Sequence, residues 1–203
     1  MNHAGMMTIH KTLVGQWVSQ LLKQATVFAP TVDGGGDEVF SRVAAPEEVA
    51  WKFINPLSPP KQFILPQTEP IVAINRRTEG YSVEPIYDER RRIVFNLRSC
   101  DVRGIAFLTK MHASDLPEDN YLKRIERTIL ISLSCNRPCP KGFCICFDAG
   151  PFCTETMTSS SPISAIAFSP SPGQPPDRSC SLKRSRYFAL RPRARSHSDT
   201  TWK

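Results

Sequence analysis

The sequence predicts an α/β fold: a single domain with a mixed sheet flanked by helices over residues 8–155, followed by a disordered C-terminal tail over 156–203. Three observations carry this reading. An amphipathic segment opens the chain, two runs rich in β-branched and aromatic residues each lead into a loop, and the composition breaks after Glu155. A chain of 203 residues suits one domain with a tail, and two full domains would be cramped.

Residues 11–24, KTLVGQWVSQLLKQ, set Leu13, Trp17, Val18, Leu21 and Leu22 on one stripe at helical spacing, which predicts an amphipathic first helix. ATVFAP (25–30) is a short apolar run ended by proline. After the turn formers Asp33, Gly34, Gly35 and Gly36, DEVFSRV (37–43) alternates as a strand does, so the two runs predict a hairpin at a sheet edge. Pro46, Glu47 and Glu48 suit a helix's first turn, where a missing N–H costs nothing and carboxylates meet the positive end of the dipole. A short helix through about Phe53 is expected there. Five prolines in NPLSPPKQFILPQTEP (55–70) then forbid a long helix and predict an extended connector across a surface.

RRIVFNL (91–97) has the content of a buried strand, and Arg98, Ser99, Cys100 and Asp101 separate it from the apolar helical run GIAFLTKM (104–111). TILISLS (128–134) is a second strand, ending in a cysteine-rich loop that begins at Cys135. Two strand ends thus deliver their loops where α/β folds keep their sites.

The net charge of +7 would suggest a nucleic-acid or anionic-membrane partner, but its distribution argues otherwise. Residues 157–203 carry a net +6 and residues 1–156 only +1. Those last 47 residues hold eleven serines, six prolines and no glutamate, with no periodicity from which to build a core. So abrupt a change near Thr156 motivates the hypothesis of a shifted reading frame, which sequencing the locus rejects if the adjacent frame holds no continuation of the domain's pattern.

Five of the seven cysteines fall within the twenty residues 134–153, SCNRPCPKGFCICFDAGPFC. The N-terminus lacks the uninterrupted apolar core of a secretion signal and no run approaches the length of a membrane span, so a reduced, cytoplasmic setting is expected. There, clustered thiolates are ligands for iron–sulfur clusters and zinc, and a loop rich in Pro and Gly lets several sulfurs converge. Cys135, Cys139, Cys144 and Cys146 are spaced C-x3-C-x4-C-x-C, which departs from the ferredoxin run and from paired zinc knuckles. Cys100, at the other strand end, is a fourth ligand if one loop cysteine faces away. Buried or free cysteines packing as small apolar groups are the alternative. Cys153 and Cys180 are weaker candidates.

Other residues carry less. His112 is the sole histidine between residues 11 and 196, so a His-based metal site or a Ser/His or Cys/His pair inside the domain would rest on this one imidazole; an exposed helix-end residue is the expectation. Asp101 is expected to cap a helix beginning near Val102. Arg90, Arg91 and Arg92 read as a solvated strand entrance or a dock for an acidic partner. There is no Walker loop and no Gly-x-Gly-x-x-Gly.

Several stretches together resemble one family. PPKQFILPQTEPIV is similar to its Lys-(aromatic)-x-x-x-Pro-x-(Thr)-Glu segment, NLRSCDVRGI to its Arg-x-Cys-Asp-x-x-(small)-Ile segment, and NYLKRIERTILISLSCNRPCPKGFCICFDAGP to a stretch ending in a cysteine loop and Gly-Pro. The family comprises the iron–sulfur β subunits of sulfhydrogenases and the A subunit of anaerobic sulfite reductase, and the resemblance covers roughly 145 of the 203 residues in the right order. It implies an electron-transfer subunit working between a flavin-bearing partner and a hydrogenase or reductase subunit, without catalytic residues of its own. An iron–sulfur cluster, 4Fe-4S among the candidates, is implied at Cys135, Cys139, Cys144 and Cys146, with Cys100 nearby. Two departures stand out: Cys144-Ile145-Cys146 replaces the family's Cys-Phe-Cys after a longer gap from Cys139, and the expected ferredoxin-like dicluster domain has no counterpart, Cys180 being the sole cysteine after Cys153. The chain is thus expected to be a truncated member. Two rival readings stay open: a non-catalytic interaction domain with zinc or no metal on the same loop, and nucleic-acid binding by the basic tail segment RSRYFALRPRARS.

Overall fold

The computed structural model describes residues 11–135, 139, 140 and 142–150, with the backbone alone for residues 11 and 164–168. Within them a five-stranded mixed sheet lies between helices, as expected of the α/β class. The sheet order is β2-β1-β5-β6-β7, built from β1 (Thr26–Val32), β2 (Glu38–Val43), β5 (Arg92–Leu97), β6 (Thr128–Leu133) and β7 (Ser164–Phe168). Within this sheet, as described, β1 and β2 pair antiparallel and the other neighbours pair parallel.

Helix α1 (Val14–Gln24), preceded by one 3-10 turn at Lys11–Leu13, buries Val18 and lays Trp17, Leu21 and Leu22 against Val27, Ala29, Ile93, Phe95 and Ile131. Leu13, expected on that stripe, caps the helix and remains exposed. The opposite face of the sheet, with Val94, Leu97 and Leu130, is covered by α2 (Ser99–His112) and α3 (Asp119–Glu126) through Val102, Ile105, Tyr121 and Ile125. Both faces of β5 are therefore covered, and all six of its residues are buried.

The expected edge hairpin forms. The Asp33 carboxylate accepts the N–H groups of Gly35 and Asp37, each at 2.9 Å, and Gly36 takes φ +88°, closing the turn. The helix expected from Pro46 to Phe53 does not form; only a 3-10 turn at Pro46–Glu48 does. Its buried residues explain why. Val49 joins the core under α1, while Phe53 meets Phe40 of the opposite core edge-on at 6.3 Å, and a helix would have put residues four apart on one side.

The chain instead wraps the free edge of β2. Leu57 N–H donates to Glu38 O at 2.6 Å, Ser58 Oγ accepts Phe40 N–H at 3.0 Å, and Gln62 Nε2 donates to Phe40 O at 3.3 Å, so the proline-rich connector satisfies an edge strand's open groups. One 3-10 turn, Pro60–Phe63, interrupts it.

Three elements lay outside the sequence reading. β3 (Val72–Arg77) and β4 (Gly80–Pro85) pair as a separate two-stranded ribbon, and α3 supplies the second half of the crossover from β5 to β6. β7 also departs from expectation, because its backbone pairs with β6 from within the segment read as tail. An added edge strand needs only main-chain partners and a short run with some β-prone residues, which Ile166 and Phe168 provide. The remainder of the expected tail, including the basic segment at 184–196, lies outside the described residues.

The arginine run is likewise corrected. Arg92 is buried at the start of β5 and pairs with Asp88, donating also to Arg90 O at 3.2 Å, while Arg90 grips the same carboxylate at 2.8 and 2.7 Å. Only Arg90 and Arg91 are solvated. His112 does end α2, but it is half-buried, stacked on Tyr121 at 4.3 Å with Nδ1 2.7 Å from Glu118 Oε2.

Candidate thiol site at the ends of two parallel strands

β5 and β6 run side by side in parallel, and the two cysteine-bearing segments leave their C-terminal ends. β5 ends irregularly. The register slips between Phe95 and Leu97, where Asn96 adopts φ 61° and is 1% exposed. This bulge turns Leu97 to the same face as Val94 and aims the chain into α2. Asn96 Nδ2 donates to Ala50 O at 3.0 Å.

Helix α2 starts earlier than expected, so Cys100 sits in its first turn rather than in a loop. Asp101 is correspondingly inside the helix, and its carboxylate reaches back to accept the Arg98 N–H at 3.1 Å; it caps the helix end from the third position. The Arg98 guanidinium lies 3.9 Å over the Phe53 ring and donates to Phe53 O. Ser99, the first helical residue, is 2% exposed, and its hydroxyl has no partner among the described residues.

Cys135 follows β6 after one intervening residue, the buried Ser134. Cys139 donates its thiol proton to Asn55 Oδ1 at 3.3 Å, and its carbonyl accepts the Gly142 N–H at 3.0 Å. A 3-10 turn, Cys144–Phe147, carries the next two thiols, and Ala149 N–H donates to Cys144 O at 2.8 Å to fold the chain back. That return brings Gly150 so near that a Cβ there would stand 3.2 Å from both Cys144 Sγ and Ser99 Oγ. Three segments of the chain meet at this point.

The thiols feel one another. Cys100 opens to solvent at one side, yet the atoms crowding its sulfur push its thiol up to about 12, with the charges of Asp101, Cys135 and Cys144 adding to the shift. Burial also raises Cys135, opposed by the Arg98 charge and reinforced by Cys139 and Cys144. Burial raises the Asp101 carboxyl too, against the Arg98 N–H and charge. Cys100, Cys135, Cys139 and Cys144 thus form one electrostatic neighbourhood. Cys146, two positions from Cys144 on a 3-10 turn, leaves the backbone in a different direction, because residues eclipse at a spacing of three. Among the described residues, no three His, Cys, Asp or Glu side chains stand within common reach of a metal ion.

The chain is similar to a sulfhydrogenase subunit. It is 22% identical over 142 residues to sulfhydrogenase 2 subunit beta of Pyrococcus furiosus, a match covering 70% of this chain and 40% of that protein. The chain therefore spans less than half the length of this sulfhydrogenase subunit. No family model and no solved structure matches it. Among the described residues no helix is long and apolar enough to cross a membrane.

Sequence reasoning found the thiols but missed their supports. Asn55, Arg98, Ser99 and Gly150 carry no chemistry of their own, and only the stretch 96–105 hinted that residues around Cys100 act together. Cys153 and Cys180 lie outside the described residues.

Proposed function

We propose that this chain is all or part of a non-catalytic electron-transfer subunit of a multi-subunit oxidoreductase of the hydrogenase or sulfite reductase kind, working beside flavin-bearing and hydrogenase or reductase partners in the cytoplasm. The observation that carries the reading is that the helix holding Cys100 and the segment holding Cys135, Cys139 and Cys144 leave the C-terminal ends of the adjacent parallel strands β5 and β6. Similarity to a sulfhydrogenase β subunit supports it. These thiols, with Cys146 in reserve on the same turn, would hold an iron–sulfur cluster, which supplies a one-electron relay when bound. Thiols are soft donors of the kind that group takes, and holding it would require them to draw together, since among the described residues no three ligating side chains stand within common reach of a metal ion.

The domain itself is proposed to span 8–155, extended by β7, with the remaining tail outside it. Anaerobic purification or reconstitution followed by iron and sulfide assay tests the reading. Brown protein absorbing near about 400 nm, with iron and sulfide in equal amounts, is expected. Colourless protein after reconstitution, or protein holding zinc and no iron, would overturn it in favour of a structural interaction domain.

A further inference from the structure

Helix α2 is apolar on two sides. Val102 and Ile105 face the sheet and are buried, whereas Cys100, Gly104, Phe107 and Met111 recur along the outer side at i, i+4, i+7 and i+11, a stripe about 16 Å long at the helical rise. Phe107 is 63% exposed and Met111 54%, and Leu116, in the connection to α3, is 90% exposed. Open space stands over Gly104, where an added Cβ would meet nothing within 4 Å. A helix apolar on both sides is ordinarily buried on both, and large apolar side chains left together in water mark a place where another surface settles.

The stripe also has a sign. The exposed positions of α2 are Cys100, Arg103, Gly104, Phe107, Lys110 and Met111, so every charge among them is positive, and Arg103 and Lys110, two turns apart, share one flank. That charge narrows what settles there. Two copies of the chain apposed antiparallel would set their basic flanks side by side, and residues 157–203 of the chain itself carry eight Lys or Arg against two Asp. A lipid surface gains only about 1 kcal/mol from each cation. Resting on the reading of the chain as one subunit of a larger assembly, and on no cluster, we propose that this face of α2 docks an acidic amphipathic helix of a partner protein. Apolar side chains of that helix cover Phe107 and Met111, and its carboxylates lie beside Arg103 and Lys110.

The probe is a synthetic helical peptide with Leu at i, i+3, i+4 and i+7 and Glu along its flanks, beside a copy with Lys in place of Glu, each titrated with the full chain by fluorescence anisotropy. The Glu-flanked peptide should bind about tenfold more tightly than the Lys-flanked one. Arg103→Glu combined with Lys110→Glu should reverse that preference, and Phe107→Ser should abolish binding with an unchanged circular dichroism spectrum. Equal binding of the two peptides, or unaltered binding by Phe107→Ser, overturns the proposal. So does a chain that prefers phosphatidylserine vesicles to the peptide, a dimer that Phe107→Ser disperses, or a benzoylphenylalanine replacing Phe107 that crosslinks to residues 157–203. A chain that ignores both peptides yet takes up iron and sulfide loses this docking face alone; one that binds the Glu-flanked peptide but stays colourless after reconstitution keeps the face and loses the electron relay.

Discussion

Arg124 carries a guanidinium that is 2% exposed, and its partners are Glu69 of the proline-rich connector and Ile64 O at 2.9 Å. Removing it strands a carboxylate and a carbonyl, so Arg124→Ala should cost about 3 kcal/mol, read as a lower denaturant midpoint at unchanged slope. Asn96 pays for its left-handed backbone, which Gly tolerates and Ala does not. Both replacements lose the bond to Ala50 O, so the difference isolates the backbone: Asn96→Gly should be the more stable by about 1 kcal/mol in equilibrium unfolding. Asp88 sets an acid dependence. Hydrogen bonds from Arg90, opposed by burial and aided by the Arg92 charge, hold its carboxyl well below the ordinary value of 3.8. A depressed folded-state pKa stabilises above that value and the gain is lost as pH falls below it. Asp88→Asn should therefore lower the melting temperature at neutral pH and flatten its decline in acid; a variant with the wild-type acid slope would contradict this.

At the scale of elements, the site depends on how tightly the return from the Cys144–Phe147 turn presses on α2. Gly150→Ala adds a Cβ 3.2 Å from a sulfur and a hydroxyl that belong to different segments, and both neighbours must give by a few tenths of an ångström. Overpacking of this kind costs about 1–3 kcal/mol. The strain falls on the less anchored partner, the turn. Gly150→Ala should leave the circular dichroism spectrum unchanged yet hold less iron after reconstitution than wild type; full iron retention would show that the close approach is incidental. The wrapping of β2 by residues 55–62 works differently, through hydrogen bonds from Leu57, Ser58 and Gln62 together with the buried Pro60, and it explains how a segment with so many prolines remains ordered beside a sheet.

For the molecule as a whole, metal uptake at the proposed thiols would be linked to protonation. The thiol of Cys100 is held up to about 12 from an ordinary 9.0, and burial raises Cys135 as well. Both are protonated at neutral pH, so binding a metal through them must release protons, and apparent affinity should rise with pH. Competition with a chelator between pH 6 and 9 checks this, an affinity indifferent to pH being the contrary result. Without metal the same shift works in the opposite sense: the folded state keeps the Cys100 proton that the unfolded chain loses, so this stabilisation is complete below pH 9.0 and disappears as pH climbs toward 12.

Local pattern alone determined much of this protein. The stripe of Trp17, Val18, Leu21 and Leu22, the Asp-Gly turn, the β-branched runs of β5 and β6 and the density of thiols after β6 are each written within a few neighbouring residues, and their physics is equally local. What only the tertiary structure decided involves residues far apart in the chain. Whether Val49 and Phe53 share a helix depended on which face of the sheet each could reach, Arg92 became buried because β5 is covered on both faces, and β7 exists because β6 offered an open edge. The same holds at the strand ends: the early start of α2 sets Cys100 in its first turn, and Cys144 and Cys146 share a 3-10 turn, because where helices and turns begin beside a sheet is not a matter of distance along the sequence.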